Sequence, residues 1–220
     1  MKKSIIITAG GIGKRMGGEL PKQFLLLGAK PVLIHTLERF FDFDPTAQII
    51  VTLPKDWVTF WKELLVQFNI RIPHELVDGG TERFHSIQNA LTICNGDQIA
   101  IHDGVRPLVS LETIARCFEG LKTSKAVVPV LYLKDSLRMG TLENSESVDR
   151  SLHYLVHTPQ CFEASILQKA YERGYQAHFT DDASVVEEIG IGPLLVLSNE
   201  ENIKITSQID LKILHALLEP

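Results

Sequence analysis

The chain reads as an α/β domain with a mostly parallel sheet and flanking helices, and three observations predict it. Short β-branched runs alternate with longer stretches of helical period, the signature of βαβ units. A length of 220 residues is about one and a half times the usual span of a domain, which suits one domain with an appendage. Apolar residues make up 45% of the chain and charged ones 22%, enough for a sizeable core and too apolar for global disorder.

The candidate strands are Ser4 to Thr8, Gln48 to Leu53, Glu75 to Val77, Gln98 to His102, Ala126 to Val130 and Leu194 to Leu197. Between them, Trp57, Phe60, Trp61, Leu64, Leu65 and Phe68 follow a helical period and share one face, which predicts a helix packed on the core. Pro31 suits a first helical turn ahead of Val32, Leu33, Leu37 and Phe40. Ser207 is placed to cap a C-terminal helix whose Ile209, Ile213 and Leu217 fall on one row. Residues 134 to 151 break the pattern, with Leu137, Met139, Leu142 and Val148 as their apolar members. From Val148 the chain alternates, Leu152, Tyr154 and Val156 against Asp149, Ser151 and His153, so a two-stranded β-arm protruding from the domain is expected over 134–155.

The net charge of -5, from 22 basic and 27 acidic residues, argues against a general nucleic-acid or anionic-membrane surface. No apolar run is long enough for a membrane span, and the N-terminus does not read as a signal peptide, so a cytoplasmic chain is expected. Cys94, Cys117 and Cys161 are odd in number and far apart, which suggests buried thiols rather than disulfides or a zinc site.

Two segments carry chemistry. ITAGGIGKRMGGELPKQ, residues 7 to 23, places a glycine loop at the end of the first strand, where backbone amides can converge on phosphate oxygens. The Walker pattern fails because Arg15 stands where Ser or Thr is needed, and the dinucleotide pattern fails at Met16. Lys14, Arg15 and Lys22 against the single acid Glu19 give a local positive charge suited to a triphosphate. The other reading is a tight strand-to-helix turn with solvated lysines. In IHDGVRPLV, residues 101 to 109, Asp103 closes a strand. A carboxylate there suits Mg²⁺, which shares itself between one or two carboxylates and substrate phosphates. Alternatively it caps the next turn. His102 reads as structural.

The motifs AGGIGKRM, PKQF, DGGTERFHSI, HDGVRP, VDRS, HTPQCF, TDDASVVE and NIKIT, in that order along nearly the whole chain, resemble those of the 2-C-methyl-D-erythritol 4-phosphate cytidylyltransferases. The resemblance implies a single Rossmann-like nucleotidyltransferase domain over 1–220. It also implies transfer of CMP from CTP to methylerythritol phosphate with release of pyrophosphate, Mg²⁺ as cofactor, and a homodimer through the arm. Arg15 and Lys22 would stabilise the pentacoordinate α-phosphate, and Ala9, Gly10, Gly11, Gly13, Gly79 and Ser86 would hold the nucleotide. Asp103 would sit by metal and ribose. Arg106, Ser136, Arg150, Thr158, Thr180 and Lys204 would serve the sugar-phosphate side, with Arg150 and Lys204 also counted as catalytic. Ser136 replaces a frequent Thr and keeps the hydroxyl. A ribitol 5-phosphate or other polyol-phosphate cytidylyltransferase shares the nucleotide half. A silent nucleotide-binding module is disfavoured by Arg15, Lys22, Asp103, Arg150 and Lys204 occurring together.

Overall fold

Strand β1 (Lys3–Thr8) explains why the fold has two helical layers. Its Ile5 and Ile7 pack on one face with residues of the first, second and fourth helices, and Ile6 packs on the other face with residues of the third, fifth and sixth. A strand covered on both sides has no use for a polar face, and the run of isoleucines follows from that. The computed structural model describes residues 1–11 and 20–218.

After β1 come the short pair β2 (Leu26–Leu27) and β3 (Lys30–Pro31), then α1 (Val32–Phe43), β4 (Gln48–Leu53), α2 (Val58–Gln67), β5 (Glu75–Asp78), α3 (Arg83–Leu91) and β6 (Gln98–Asp103). The second half holds α4 (Leu111–Gly120), β7 (Ala126–Tyr132), β8 (Leu137–Gly140), β9 (Ser145–Val148), β10 (Tyr154–Val156), β11 (Gln160–Glu163), α5 (Ala164–Tyr171), α6 (Asp182–Glu187), β12 (Leu194–Leu197) and α7 (Gln208–Leu218). The main sheet has the order β10-β7-β11-β6-β1-β4-β5, with β12 paired to β7. Pairings of β1 with β4 and β6, of β4 with β5 and of β12 with β7 are parallel. Strands β10 and β11 run antiparallel to their neighbours, so the sheet is mixed but mostly parallel.

Pro31 is the N-cap directly ahead of α1, which buries Leu33, Ile34, Leu37 and Phe40. In α2 and the 3-10 turn before it, the aromatics are core material. Trp61 is wholly buried, and Phe24 meets Trp57, Phe60 and Trp61 with ring centroids 5.2 to 6.3 Å apart. Cys117 and Cys161 are buried and Cys94 partly so, all as free thiols. No helix among the described residues is long and apolar enough to cross a membrane.

Two expectations need correction. In α7 the row Ile209, Ile213 and Leu217 is exposed, at 67%, 43% and 47%, while Leu214 is wholly buried against Leu27, Val32 and Ile205. The helix carries two apolar rows, and docking on β2 and α1 selects the other one. The run from Val148 to Val156 is not one limb. Val148 ends β9, which pairs with β8 as a separate two-stranded sheet, and a 3-10 turn at Arg150–Leu152 follows. Strand β10 then joins the main sheet, Tyr154 opposite Tyr132 and Val156 opposite Val130. Strand β11 pairs with β7 at Ala126 and Val127, and β10 continues the ladder along the same strand. Tyr154 and Leu155 therefore belong to the sheet.

Candidate active site

The sheet places the site at the carboxyl ends of β1 and β6, where open α/β sheets bind ligands. A cavity of about 440 Å³ opens there, lined by Ala9, Gly10, Gly11, Lys22, Ser86, Asp103 and Lys204 among others. Each element delivers its part for a local reason. The Ala9 N–H donates to the Thr52 carbonyl at 3.0 Å. The Ala9 carbonyl accepts from the buried Gln23 amide at 2.7 Å, so the entry to the glycine loop is fixed. Among the described residues, a Cβ on Gly11 would meet no atom within 4 Å, and Gly11 lines the cavity.

The loop after β5 forms the facing wall. The Gly80 N–H donates to Ser86 Oγ at 2.9 Å, and a Cβ on Gly80 would lie 2.3 Å from that of His85. Glycine is required there because the loop folds tightly onto the first turn of α3. Gly79, expected to hold nucleotide, lies outside the cavity lining, with its N–H donating to the Leu53 carbonyl at 2.7 Å. Gly80, Thr81, Glu82 and Arg83 line the wall instead.

Asp103 is the electrostatic centre. Its Oδ2 meets Arg106 Nε at 3.0 Å and Lys204 Nζ at 3.1 Å, while Oδ1 faces Arg83 Nε at 3.7 Å. Burial alone would raise the pKa of this carboxyl, but the charges of Arg83, Lys204 and Arg106 outweigh it and hold the group well below the usual carboxylate range. Behind it, the Asp103 N–H donates to Thr158 Oγ1 at 3.1 Å. That hydroxyl lies 3.0 Å from His102 Nδ1, and His102 Nε2 is 3.1 Å from the Arg106 carbonyl. The carbonyl can only accept, so the proton sits on Nε2 and Thr158 donates to Nδ1. Burial pushes His102 down to about 3, and burial with the nearby Arg106 pushes His157 down to about 4. Both are neutral, structural histidines.

The residues expected on the sugar-phosphate side divide. Lys204 lines the cavity. Arg106 is buried, donating to Asp103 and, at 2.8 Å, to the Asn202 carbonyl. Thr158 is buried behind Asp103. Ser136 and Arg150 are exposed, and Arg150 donates to the Lys134 carbonyl at the base of the hairpin. Thr180 is exposed beside a smaller hollow shared with Arg83 and Phe84. Ser136, Arg150 and Thr180 do not line the cavity. Gly13 and Arg15 lie outside the described residues. The residue that sequence reasoning passed over is Arg83, although it stands inside the DGGTERFHSI motif, and a lone arginine opening a helix was the available signal.

Residues 4–220 match the 2-C-methyl-D-erythritol 4-phosphate cytidylyltransferase family. The chain belongs to that family. A relative of that name from Bacteroides fragilis is 51% identical over 219 residues, 99% of this chain and 100% of the relative. One from Bacteroides thetaiotaomicron is 49% identical over the same shares. Among solved structures, the 4-diphosphocytidyl-2C-methyl-D-erythritol synthase of Anaerococcus prevotii superposes with a TM-score of 0.87 at 27% identity, covering 100% of this chain and 96% of that one. The 2-C-methyl-D-erythritol 4-phosphate cytidylyltransferase of Francisella tularensis superposes at 0.83 and 30% identity, covering 99% and 100%. This cytidylyltransferase is thus an α/β enzyme of nucleotidyl transfer, with CTP and 2-C-methyl-D-erythritol 4-phosphate as its substrates.

Proposed function

We propose that the cavity makes CDP-methylerythritol by in-line attack of the sugar phosphate on the α-phosphate of CTP, with work divided among residues of one wall each. The observation that carries this reading is the convergence of a glycine loop, Lys22, Lys204 and a locked Asp103 on one cavity at the strand ends. Two phosphates repel each other, so positioning and charge neutralisation must supply most of the rate. The nucleophile is already an anion at neutral pH, and no general base is required. Lys22 and Arg15 would neutralise charge on the α-phosphate, an arginine by a forked contact and a lysine as a point charge. Ala9, Gly10 and Gly11 approach the phosphates through their backbone. Gly80 and Ser86 stand where the base would be read.

Mg²⁺ fits Asp103. No cluster of three His, Cys, Asp or Glu exists among the described residues, which rules out a closed protein cage among them and suits an ion that keeps waters and substrate phosphates as ligands. Oδ2 is engaged by Arg106 and Lys204, whereas Oδ1 has its nearest cation at 3.7 Å, so one edge of the carboxylate remains for the ion. When bound, it would neutralise charge on the triphosphate.

The hairpin β8–β9 fits a homodimer that lends Arg150 to the partner's site. Leu142, Met139 and Leu152 are exposed at 102%, 59% and 74%, and a lone hairpin is marginal in water. Covering it with a second copy would bury these groups and carry Arg150 away from its own chain.

Incubation with CTP and Mg²⁺ and, separately, methylerythritol phosphate or ribitol 5-phosphate tests the substrate. Pyrophosphate release is expected with the first. Release with ribitol 5-phosphate alone would overturn the reading.

A further inference from the structure

An ion pair ties the cavity wall to the buried interior and takes no part in the scheme above. Arg83, at the start of α3, directs both terminal guanidinium nitrogens at Asp182, Nη1 to Oδ1 at 2.8 Å and Nη2 to Oδ2 at 2.7 Å. Asp182, at the start of α6, is wholly buried and also accepts from the Tyr171 hydroxyl at 2.7 Å. Phe84 stacks on Tyr171 with centroids 4.5 Å apart and planes at 15°. The guanidinium therefore has its plane and direction fixed from behind. Its Nε is the nitrogen not used by Asp182, and it looks at Asp103 Oδ1 from 3.7 Å, beyond hydrogen-bond reach but within strong electrostatic range. Arg83 lines the cavity and Asp182 does not. Burying the Asp182 carboxylate costs desolvation that its attraction to the partly exposed Arg83 need not exceed, so stability alone is a poor reason for this arrangement.

We infer that Arg83 is a positioning residue for the transfer step, held by Asp182 and Tyr171 so that its charge fixes the Oδ1 edge of Asp103 toward the nucleotide. The inference rests on the reading of Asp103 as a nucleotide-side group. Arg106 and Lys204 restrain one oxygen and Arg83 restrains the other, which leaves the carboxylate a single orientation. Lysine at position 83 would keep the charge and lose the fork.

The test compares Arg83→Lys, Asp182→Asn, their double variant, Asp103→Asn and Leu64→Ala, a cavity-forming core change in α2 at a residue that does not line the site. Steady-state kinetics with CTP varied and thermal unfolding are measured for each. Arg83→Lys and Asp182→Asn should each lower kcat/KM for CTP by roughly 10- to 100-fold, as loss of a group that orients a ligand-binding residue does. The double variant should be no worse than the poorer single, because the two residues act as one unit. The KM for the sugar phosphate should hold, and Leu64→Ala should lose thermal stability with kcat/KM intact. Folded Arg83→Lys and Asp182→Asn variants with unchanged kcat/KM and only a lowered Tm would overturn the inference and leave the pair as a strut. Full activity in Asp103→Asn would instead overturn the reading of the nucleotide site. Should the charge variants not fold, the Arg83 ¹⁵Nε–H signal of the wild-type protein decides: it should shift on titration with CTP, and an unmoved signal would refute the inference.

Discussion

The carboxyl ends of β1 and β6 and the hairpin of β8 and β9 hold themselves in place in opposite ways. Around Asp103, its sequence neighbours His102 and Arg106 and the distant Arg83, Thr158 and Lys204 lock one another. In the hairpin the support is local, by backbone pairing of β8 with β9 and by Arg138, which donates to Ser145 Oγ at 2.8 Å and to its carbonyl at 2.6 Å. The nucleotide side is thus organised within one chain, whereas Ser136 and Arg150 are carried on a segment whose outer face is exposed. On the division of the site proposed above, one substrate would meet a surface cross-linked through distant parts of the chain and the other a surface held by local contacts.

The largest effect is expected at the transferred phosphate. Lys22→Ala, and equally Arg15→Ala, should lower turnover by roughly 10² or more, with a smaller change in sugar-phosphate binding. Steady-state kinetics check it, and near-normal kcat in both would make the loop a scaffold.

The hairpin side is sharpened by subunit mixing. Arg15→Ala and Arg150→Ala, each nearly inactive, are unfolded and refolded together. If Arg150 acts across the dimer, a mixed pair has one site with both lesions and one with none, and about a quarter of wild-type activity returns on random pairing. No recovery after proven exchange of chains would confine Arg150 to its own subunit.

A smaller effect is expected at the base. Ser86→Ala removes the acceptor for the Gly80 N–H. It should reduce the preference for CTP over UTP, measured as the ratio of kcat/KM values, by about tenfold, the worth of one mispaired polar group.

Acid should loosen the rigid region first. His102 is pushed down to about 3 in the folded chain and has an ordinary value of 6.5, so between these values the unfolded chain binds the extra proton. Its contribution to stability is complete above pH 6.5 and is lost as pH falls toward 3, by up to about 1.4 kcal/mol per unit. Denaturant unfolding at pH 7 and 5 should show a slope that His102→Gln flattens.

Weakest of all is Ser110→Ala. Ser110 Oγ accepts from the Thr113 N–H at 3.0 Å to cap α4; its loss should cost about 1 kcal/mol by chemical denaturation and leave catalysis alone.

Much of the rigid region was legible in the sequence because its signals are local. Gln48–Leu53 and Leu194–Leu197 are apolar runs of strand length, and the helix of Trp61 and Leu64 carries a single dominant face. Strand β11 was missed because Gln160–Glu163 has no alternation, and its antiparallel direction is a property of the sheet. The α7 face was misread because Ile209 and Leu214 lie on rival rows that only docking separates. Ala9, Gly10, Gly11, Lys22, Ser86, Asp103 and Lys204 meet as their motifs suggested. The inward commitment of Arg106 and Thr158, and the pairing of Arg83 with Asp182, depend on partners 55 to 99 residues away, which no local pattern encodes.

The closure of the site by late residues has a consequence for the growing chain. Arg106 waits for the Asn202 carbonyl, 96 residues downstream, and Val105 waits for Ile205, whose N–H it accepts at 3.0 Å. Ribosomes add roughly 5 to 20 residues each second, so Asp103 spends about 5 to 20 s outside the exit port before Lys204 reaches it. During that interval Asp103 has Arg83 and Arg106 in the emerged chain to face it and lacks only Lys204. The third cation around Asp103 therefore joins the site only after most of the sheet has been made.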